Sequence, residues 1–401
     1  MSERYQAGVT PTRTEWIQET TEGEINSDPE WNIYSDNMTS LWDWEPDANT
    51  QTQRGVGEIN PQGFFNGSET HDATFEYDLN QWYVDESGNT VDAGGDFLTP
   101  SADNDVRATH SVVSRSEHNS GGSDDAGRRI YTVGKGGHPS SITVPFETED
   151  GSPISQTLEY QFQKIRQYDI SQPSSSTTLE VENTGSTSVD VTIEDEGAAT
   201  SETVTVAGGS TQTTVETFGD IDAVELDTDT DGDVIVTDGS GTEFTRIKGS
   251  DSYPAGEGDL GVPALGDGSH ASALDSDYVR FLDDTLTIPN APSEYEVVSG
   301  ELSVDTGLDD NSKTGSAKRN IHPTAFEYSF TASLAGPKIS VDLTVDYLSE
   351  NTGDLVWTAQ EGSITGNEAF IMSPGSYTKE SENGKIIHDC EFMAENLTVT
   401  N

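Results

Sequence analysis

The sequence predicts a mainly β protein: an antiparallel β-sandwich or barrel, with a second, smaller β-sandwich inserted near its middle. Three observations predict it. Strands with one apolar and one polar face occur in both halves, as in Phe75, Tyr77 and Leu79 against Glu76 and Asp78. Residues 177–248 break into short strand-forming runs separated by turn signals at near-regular intervals. Two stretches flanking that insert resemble each other. His71-Asp72-Ala73-Thr74-Phe75-Glu76-Tyr77 returns as His322-Pro323-Thr324-Ala325-Phe326-Glu327-Tyr328, and Leu158-Glu159-Tyr160-Gln161-Phe162 has a counterpart in Asp389-Cys390-Glu391-Phe392-Met393. Such repeats change the reading of a whole fold. Duplication and long loops on a single unit both remain open readings.

Residues 1–34 read as an extended N-terminal arm with breakers at Pro11, Gly23 and Pro29. Exposed tryptophan is favoured at subunit interfaces. Trp16, Ile17 and Trp31 are therefore the expected inter-subunit anchors. Residues 35–172 form the first body region. Leu41-Trp42-Asp43-Trp44 and Thr74–Leu79 read as strands there, and 84–100 as a loop or hairpin tip. Residues 101–115 read as a helix capped by Ser101, because Val106, His110 and Val113 fall at helical spacing. Gly121, Gly122, Gly134, Gly136 and Gly137 read as loop markers. Ser141–Pro145 and Thr157–Gln163 close the region as strands.

The texture changes at Gln172-Pro173-Ser174-Ser175-Ser176, where an inserted domain, 173–249, is expected. Residues 177–248 hold 17 acidic residues against Arg246 and Lys248, a net charge of −15. Strands are expected at Thr178–Glu182, Val189–Ile193, Thr203–Ala207, Gln212–Thr217, Ala223–Leu226 and Val234–Thr237. Their spacing suits a small immunoglobulin-like sandwich without the cysteine and tryptophan hallmarks of antibody domains. After a Gly-, Asp- and Ser-rich linker at 250–275, the second body region runs to 401. Phe326, Tyr328 and Phe330 alternate there with polar residues. Ile339, Val341, Leu343, Val345 and Tyr347 alternate again, and a last strand runs from about His388 to Val399.

Composition narrows the function. Of 401 residues, 73 are acidic and 19 basic, giving a net charge of −54 with 31% hydrophobic residues. In molar salt the Debye length is about 3 Å, so like charges repel little and carboxylates chiefly hold water at the surface. The acidity is that of a halophile's protein. It argues against direct DNA binding, for which a basic patch is the footprint. Cys390 is the only cysteine, so no intrachain disulfide forms. The opening Met1-Ser2-Glu3-Arg4-Tyr5 lacks the apolar core of a secretory signal, and no apolar run approaches a membrane span. A chain made in the cytoplasm, soluble and without a membrane partner, is expected.

No catalytic spacing stands out, neither a nucleophile elbow, a zinc-protease pair, a phosphate loop nor a paired-cysteine motif. A non-enzyme without cofactors is expected. His71 and His322 hold equivalent places in the two similar stretches, which points to structural use. One metal motif is weighed. Asp227, Asp229, Asp231 and Asp233 alternate as in a calcium loop, with Gly232 at the turn and Asp238 at the closing position. Its flanks are strand-like, not helical, and a plain solvated acidic turn is the preferred reading.

A family resemblance rests on the N-terminal block. Gly8-Val9-Thr10-Pro11, Trp16-Ile17-Gln18-Glu19-Thr20-Thr21-Glu22-Gly23 and Ser27-Asp28-Pro29-Glu30-Trp31 resemble the leader of tail tube (major tail) proteins of haloarchaeal tailed viruses. So do Gln53-Arg54-Gly55-Val56-Gly57 and Phe64-Phe65-Asn66-Gly67-Ser68-Glu69-Thr70-His71. The closing Ile386-Ile387-His388-Asp389-Cys390-Glu391-Phe392 and Leu397-Thr398-Val399-Thr400 are similar to that family's final strand. The insert, with Glu182-Asn183-Thr184-Gly185-Ser186-Thr187 and Thr203-Val204-Thr205-Val206-Ala207-Gly208-Gly209, looks like an accessory module of haloarchaeal virion proteins.

The resemblance implies two packed antiparallel sheets, a flanking helix and a long hairpin reaching a neighbour. Copies would close into rings and rings would stack into a hollow tail through which viral DNA passes without specific binding. If the fold is duplicated, three chains complete a pseudo-sixfold ring; otherwise six do. Tape measure, tail terminator and baseplate proteins would be partners, and the virion tail the location. The insert would sit outside the bore and be removable without loss of assembly. A capsid decoration or baseplate protein, and a surface protein of S-layer or adhesin type, are the competing readings.

Overall fold

The computed structural model describes residues 9–19, 21, 23–25, 31–33, 43–47, 51–53, 63–65, 70–78, 109–118, 127–147, 154–195, 199–253, 258–265, 285–289, 295–312, 319–323, 326–336, 347–359, 362–375, 377–379 and 386–400. The chain is mainly β and its paired strands are antiparallel.

The first region contributes β1 (Val9–Gln18), β2 (Asn32–Ile33), β3 (Asp43–Asp47), β4 (Gln51–Gln53), β5 (Gly63–Phe65), β6 (Thr70–Asp78), β7 (His110–His118), β8 (Arg129–Glu147) and β9 (Ser155–Ile170). The expected helix at 101–115 is corrected. His110–His118 is a strand between β1 and β8, and 101–108 lie outside the described residues. His110 to Arg115 are buried without interruption, so no period of two is visible, and the spacing of His110 and Val113 imitated a helical face. The glycines expected in loops are also corrected. Gly134, Gly136 and Gly137 lie inside β8, a strand of 19 residues. A Cβ at Gly137 would stand 2.3 Å from the Phe162 ring, so only glycine lets β9 pass so closely.

β8 and β9 form a long hairpin at which one 15-stranded sheet branches. The later half of β8 pairs with β9 on one side and with β19 (Glu296–Asp305) on the other. Its earlier half pairs with β9 and with β7, which leads to β1 and β2. Through β19 the sheet continues into the second region. That region holds β18 (Thr285–Thr287), β20 (Leu308–Ser312), β21 (Arg319–Pro323), β22 (Glu327–Gly336), β23 (Thr352–Ala359), β24 (Gly362–Ser373), β25 (Tyr377–Lys379), β26 (Ile386–Ala394) and β27 (Asn396–Thr400). The main sheet therefore reads β3-β6-β9-β8-β19-β22-β26-β24-β23-β18. The expected last strand is two, β26 and β27, parted at Glu395. Of the expected strand from Ile339 to Tyr347, Ile339, Val341, Leu343 and Val345 lie outside the described residues, and Tyr347–Ser349 form a helical turn.

The two similar stretches are used differently. His71 to Tyr77 lie within one strand, whereas 322–328 are shared between β21 and β22. Both β6–β9 and β22–β26 are neighbours, yet Phe75 faces Leu158 while Asp389 faces Ser333. The inward residues Cys390 and Phe392, not Asp389 and Glu391, occupy places like those of Leu158 and Tyr160.

One core runs the length of the main sheet. It includes Phe75, Tyr77, Leu158, Tyr160, Leu302, Phe330, Trp357 and Phe392, and Trp16 and Val112 also belong to it. Burying each such side chain contributes about 1.5–3 kcal/mol. A second core unites the inserted module with the arm of the hairpin. The module is two four-stranded antiparallel sheets. One holds β10 (Leu179–Asn183), β13 (Ser210–Thr213), β15 (Val234–Asp238) and β16 (Glu243–Ile247); the other holds β11 (Val189–Glu194), β12 (Ser201–Val206), β14 (Ala223–Leu226) and β17 (Gly261–Val262). β17 lies beyond residue 249, so the sandwich takes in part of the expected linker.

Candidate functional site: an acidic sheet face and the seam behind it

The main sheet has one dry and one wet face, set by alternation along each strand. On the wet face stand Asp72 and Glu76 of β6, Glu159 of β9, Glu301 and Asp305 of β19, Glu327 of β22, and Asp389 and Glu391 of β26. Their neighbours are small and polar. Ser141 donates to Glu159 at 2.7 Å, Ser333 to Asp389 at 2.6 Å, and the Gln161 amide to Asp72 at 3.1 Å. Register joins them into rows, with Glu301 opposite Thr331 and Thr331 opposite Glu391. The segments 70–78, 141–147, 155–162, 296–305, 327–336 and 386–394 contain no lysine or arginine. Along these segments the face is polar and negative, and they offer no cation to hold a phosphate.

Cations gather instead at the seam between the hairpin arm and the module. Asp222, carried just before β14, is buried. It accepts from Arg115 at 2.8 Å, Arg129 at 3.1 Å and the Tyr131 hydroxyl at 2.6 Å. Burial, then the Asp222 charge, pushes the Tyr131 phenol well above its usual range. A second carboxylate, Asp259, accepts from Arg166 at 2.8 Å and from the Tyr253 hydroxyl at 2.5 Å, with the Lys164 ammonium 3.8 Å away. The Arg166 guanidinium lies 4.3 Å from the centre of the Tyr253 ring. Lys135 lines a cleft with Lys164 and Gly258. Its burial lowers its pKa, opposed by the charges of Glu225, Glu19, Asp259 and Glu24.

The arm residues fall on this seam and in the core. Trp16 is 4%, Ile17 6% and Trp31 2% exposed, and the Trp31 indole donates to the Ala264 carbonyl at 2.9 Å. The expectation of exposed inter-subunit anchors is therefore corrected: β1 is an interior strand paired with β7 and β2, and these side chains are consumed within the chain. Glu19 directly follows β1 and is buried. It accepts from Gly23 and Gly136 backbone amides and from Thr109 and Ser111 hydroxyls, which fixes the turn out of β1.

The acidic run weighed as a calcium loop is spread over separate turns. Its carboxylates point to separate partners: Asp227 to the Asp190 amide, Asp229 to the Gly258 amide, Asp231 to Ser186, Asp233 to Lys248 and Arg246, and Asp238 to Ser240 and Thr242. The described residues contain no group of three or more potential metal ligands. Asp238, bonded by Ser240 and Thr242, is held down at about 2, as expected of a turn cap. His71 is buried on β6; the side chain of His322 lies outside the described residues. No described helix is long and apolar enough to cross a membrane.

Sequence reasoning missed Asp222, Asp259 and their arginines. One signal was present: Arg115, Arg129 and Arg166 alternate into apolar strands of a chain otherwise poor in cations. No family model matches the chain, and no curated protein sequence matches it.

Proposed function

We propose that this chain is a structural, non-catalytic subunit that assembles with copies of itself into stacked rings, forming the hollow tail tube of a haloarchaeal virus. The observation that carries the reading is the wet face of the main sheet: a broad wall of carboxylates and hydroxyls on strand segments that contain no lysine or arginine. Such a wall lets DNA slide, because affinity for DNA comes largely from cations that neutralise phosphates. The N-terminal and C-terminal sequence resemblance supports the same reading, and so does the need to close a wide sheet whose ends are unpaired among the described residues.

In this reading the immunoglobulin-like module stands on the outer side of the tube, held to the back of the hairpin arm. Three chains complete a ring if the two body regions are a duplication, and six if they are one unit. Viral DNA passes through the bore without specific contacts, and tape measure, terminator and baseplate proteins meet the tube at its ends.

Electron microscopy of the purified protein in molar salt tests this. Hollow tubes or stacked rings with outer knobs are expected, with threefold or sixfold symmetry. Monomers at high concentration, or flat lattices, would overturn it.

A further inference from the structure

Lys135, on β8, is half-buried and has neither an ion pair nor a hydrogen bond from its side chain among the described residues. Every other lysine or arginine whose side chain is described has a carboxylate partner. The charges that act on Lys135, those of Glu225, Glu19, Asp259 and Glu24, do so from beyond pairing distance. An ammonium drawn partly out of water needs acceptors, and the described residues of this chain supply none.

The space beside Lys135 is open. It lines two adjoining hollows of about 360 and 370 Å³ between the hairpin arm and the module. Both hollows also touch Glu24, from the turn after β1, and Asp227 and Leu260, from the module. Glu225 of β14 borders one of them and Lys164 of β9 the other. Lys164 is engaged with the Gly258 carbonyl at 2.8 Å, and Asp227 turns one oxygen to the Asp190 amide. The Glu24 and Glu225 carboxylates accept no hydrogen bond among the described residues. One ammonium and two carboxylates without partners therefore line one cleft, held apart from each other.

We propose that this cleft binds a basic amino acid, its carboxylate against Lys135 and its cationic groups against Glu24, Glu225 and Asp227. Unlike charges held apart fit a molecule with unlike charges of its own, and hydrogen bonds between ionised groups are the stronger ones. Carboxylates outnumber ammonium groups around the cleft, which selects an occupant with more positive than negative groups. Leu260 gives apolar surface to the carbon chain between them. Junctions between packed units are common places for small-molecule sites. Because its partners come from both sides, the ligand ties the module to the hairpin arm. The proposal does not depend on ring assembly.

Titration calorimetry of the full chain in molar salt tests this with three probes: L-lysine, cadaverine, which lacks the carboxylate, and hexanoate, which lacks both amino groups. L-lysine should bind at least about tenfold more tightly than either analogue. Lys135→Met should remove its advantage over cadaverine, while Lys135→Arg keeps it. Glu225→Gln should weaken L-lysine and cadaverine alike. Circular dichroism melting checks that each variant is folded, and the three probes on the parent chain need no variant at all. Cadaverine binding as tightly as L-lysine would reduce the cleft to a cation site, and hexanoate doing so would reduce it to an anion site; either overturns the proposal. So would a parent chain that binds none of the three, or a folded Lys135→Met chain that binds L-lysine like the parent.

Discussion

On the wet face of the main sheet, eight carboxylates stand on strand segments that contain no lysine or arginine. At the seam with the module, two buried aspartates draw in four cations and two tyrosines. The difference follows from solvent. A hydrated carboxylate needs no partner, least of all in concentrated salt. A buried one must be paired and hydrogen-bonded, because taking an ion out of water costs several kcal/mol. A chain with 19 cations among 401 residues places several of them where burial makes them necessary. The seam fixes one piece to another, while the wet face stays open to solvent.

The largest expected effect concerns the module as a whole. Deleting 177–248 would strip Ile17, Val113, Tyr131, Val133, Tyr168 and Ile170 of the core they share with it and leave Arg115 and Arg129 without Asp222. The sequence-based expectation of a freely removable insert is revised accordingly. The deletion should cost more than about 5 kcal/mol or abolish folding of the hairpin arm, as read by urea unfolding in molar salt. A deletion chain as stable as the parent would erase the contrast between seam and face.

Next comes the clamp itself. Asp222→Ala leaves two buried guanidiniums and a buried phenol without their shared acceptor. It should cost about 3–5 kcal/mol in the same measurement. A loss below about 1 kcal/mol would put Asp222 among surface ion pairs instead.

A smaller effect separates core from surface titration. His110 is enclosed by Trp16 and Tyr160, with ring centres at 5.4 and 6.0 Å. Burial first, and the nearby His138 second, lower its pKa to about 3. The folded state thus refuses a proton that the unfolded chain accepts below about 6.5. Stability should fall as pH drops from about 6.5 toward 3, by at most about 1.4 kcal/mol per pH unit from this group. His110→Gln should remove that part of the slope. Identical slopes in parent and variant between pH 6.5 and 4 would contradict it.

The smallest effect on stability, and the most telling for function, belongs to the wet face. Glu301→Lys with Glu391→Lys should change unfolding free energy by no more than about 0.5 kcal/mol each, as exposed sites do. On assembled protein the pair should create salt-dependent DNA retention, with a log–log slope near −1.8 for two added phosphate contacts per chain. DNA retention equal to that of the parent would remove the link between this face and passage of DNA.

Much of the fold was legible because alternation is a strong signal where one face is wet. β6, β22 and most module strands fall within a few residues of the expected ranges. It failed where both faces are buried. His110 to Arg115 show no period and read as a helix, and the glycines of β8 read as loops because the ring of Phe162 above Gly137 is invisible in one dimension. The seam was hidden for a related reason. Asp222 meets Arg115 and Arg129 across 107 and 93 residues, and nothing local marks the partners. The acidic run at 227–238 is the opposite case: its local spacing is regular, while Asp227, Asp229, Asp231 and Asp233 have separate distant partners and Asp238 caps its own turn. Trp16 and Trp31 looked like interface anchors because their strand pairing and the core above them are equally non-local.

The measurement that tests the account most directly is a cryo-electron microscopy map of the assembled protein in molar salt. The account predicts a hollow tube in which the side chains of Glu301 and Glu391 face the bore and the module stands outside. A tube lined by another surface, a module inside the bore, or an assembly with no bore would contradict it.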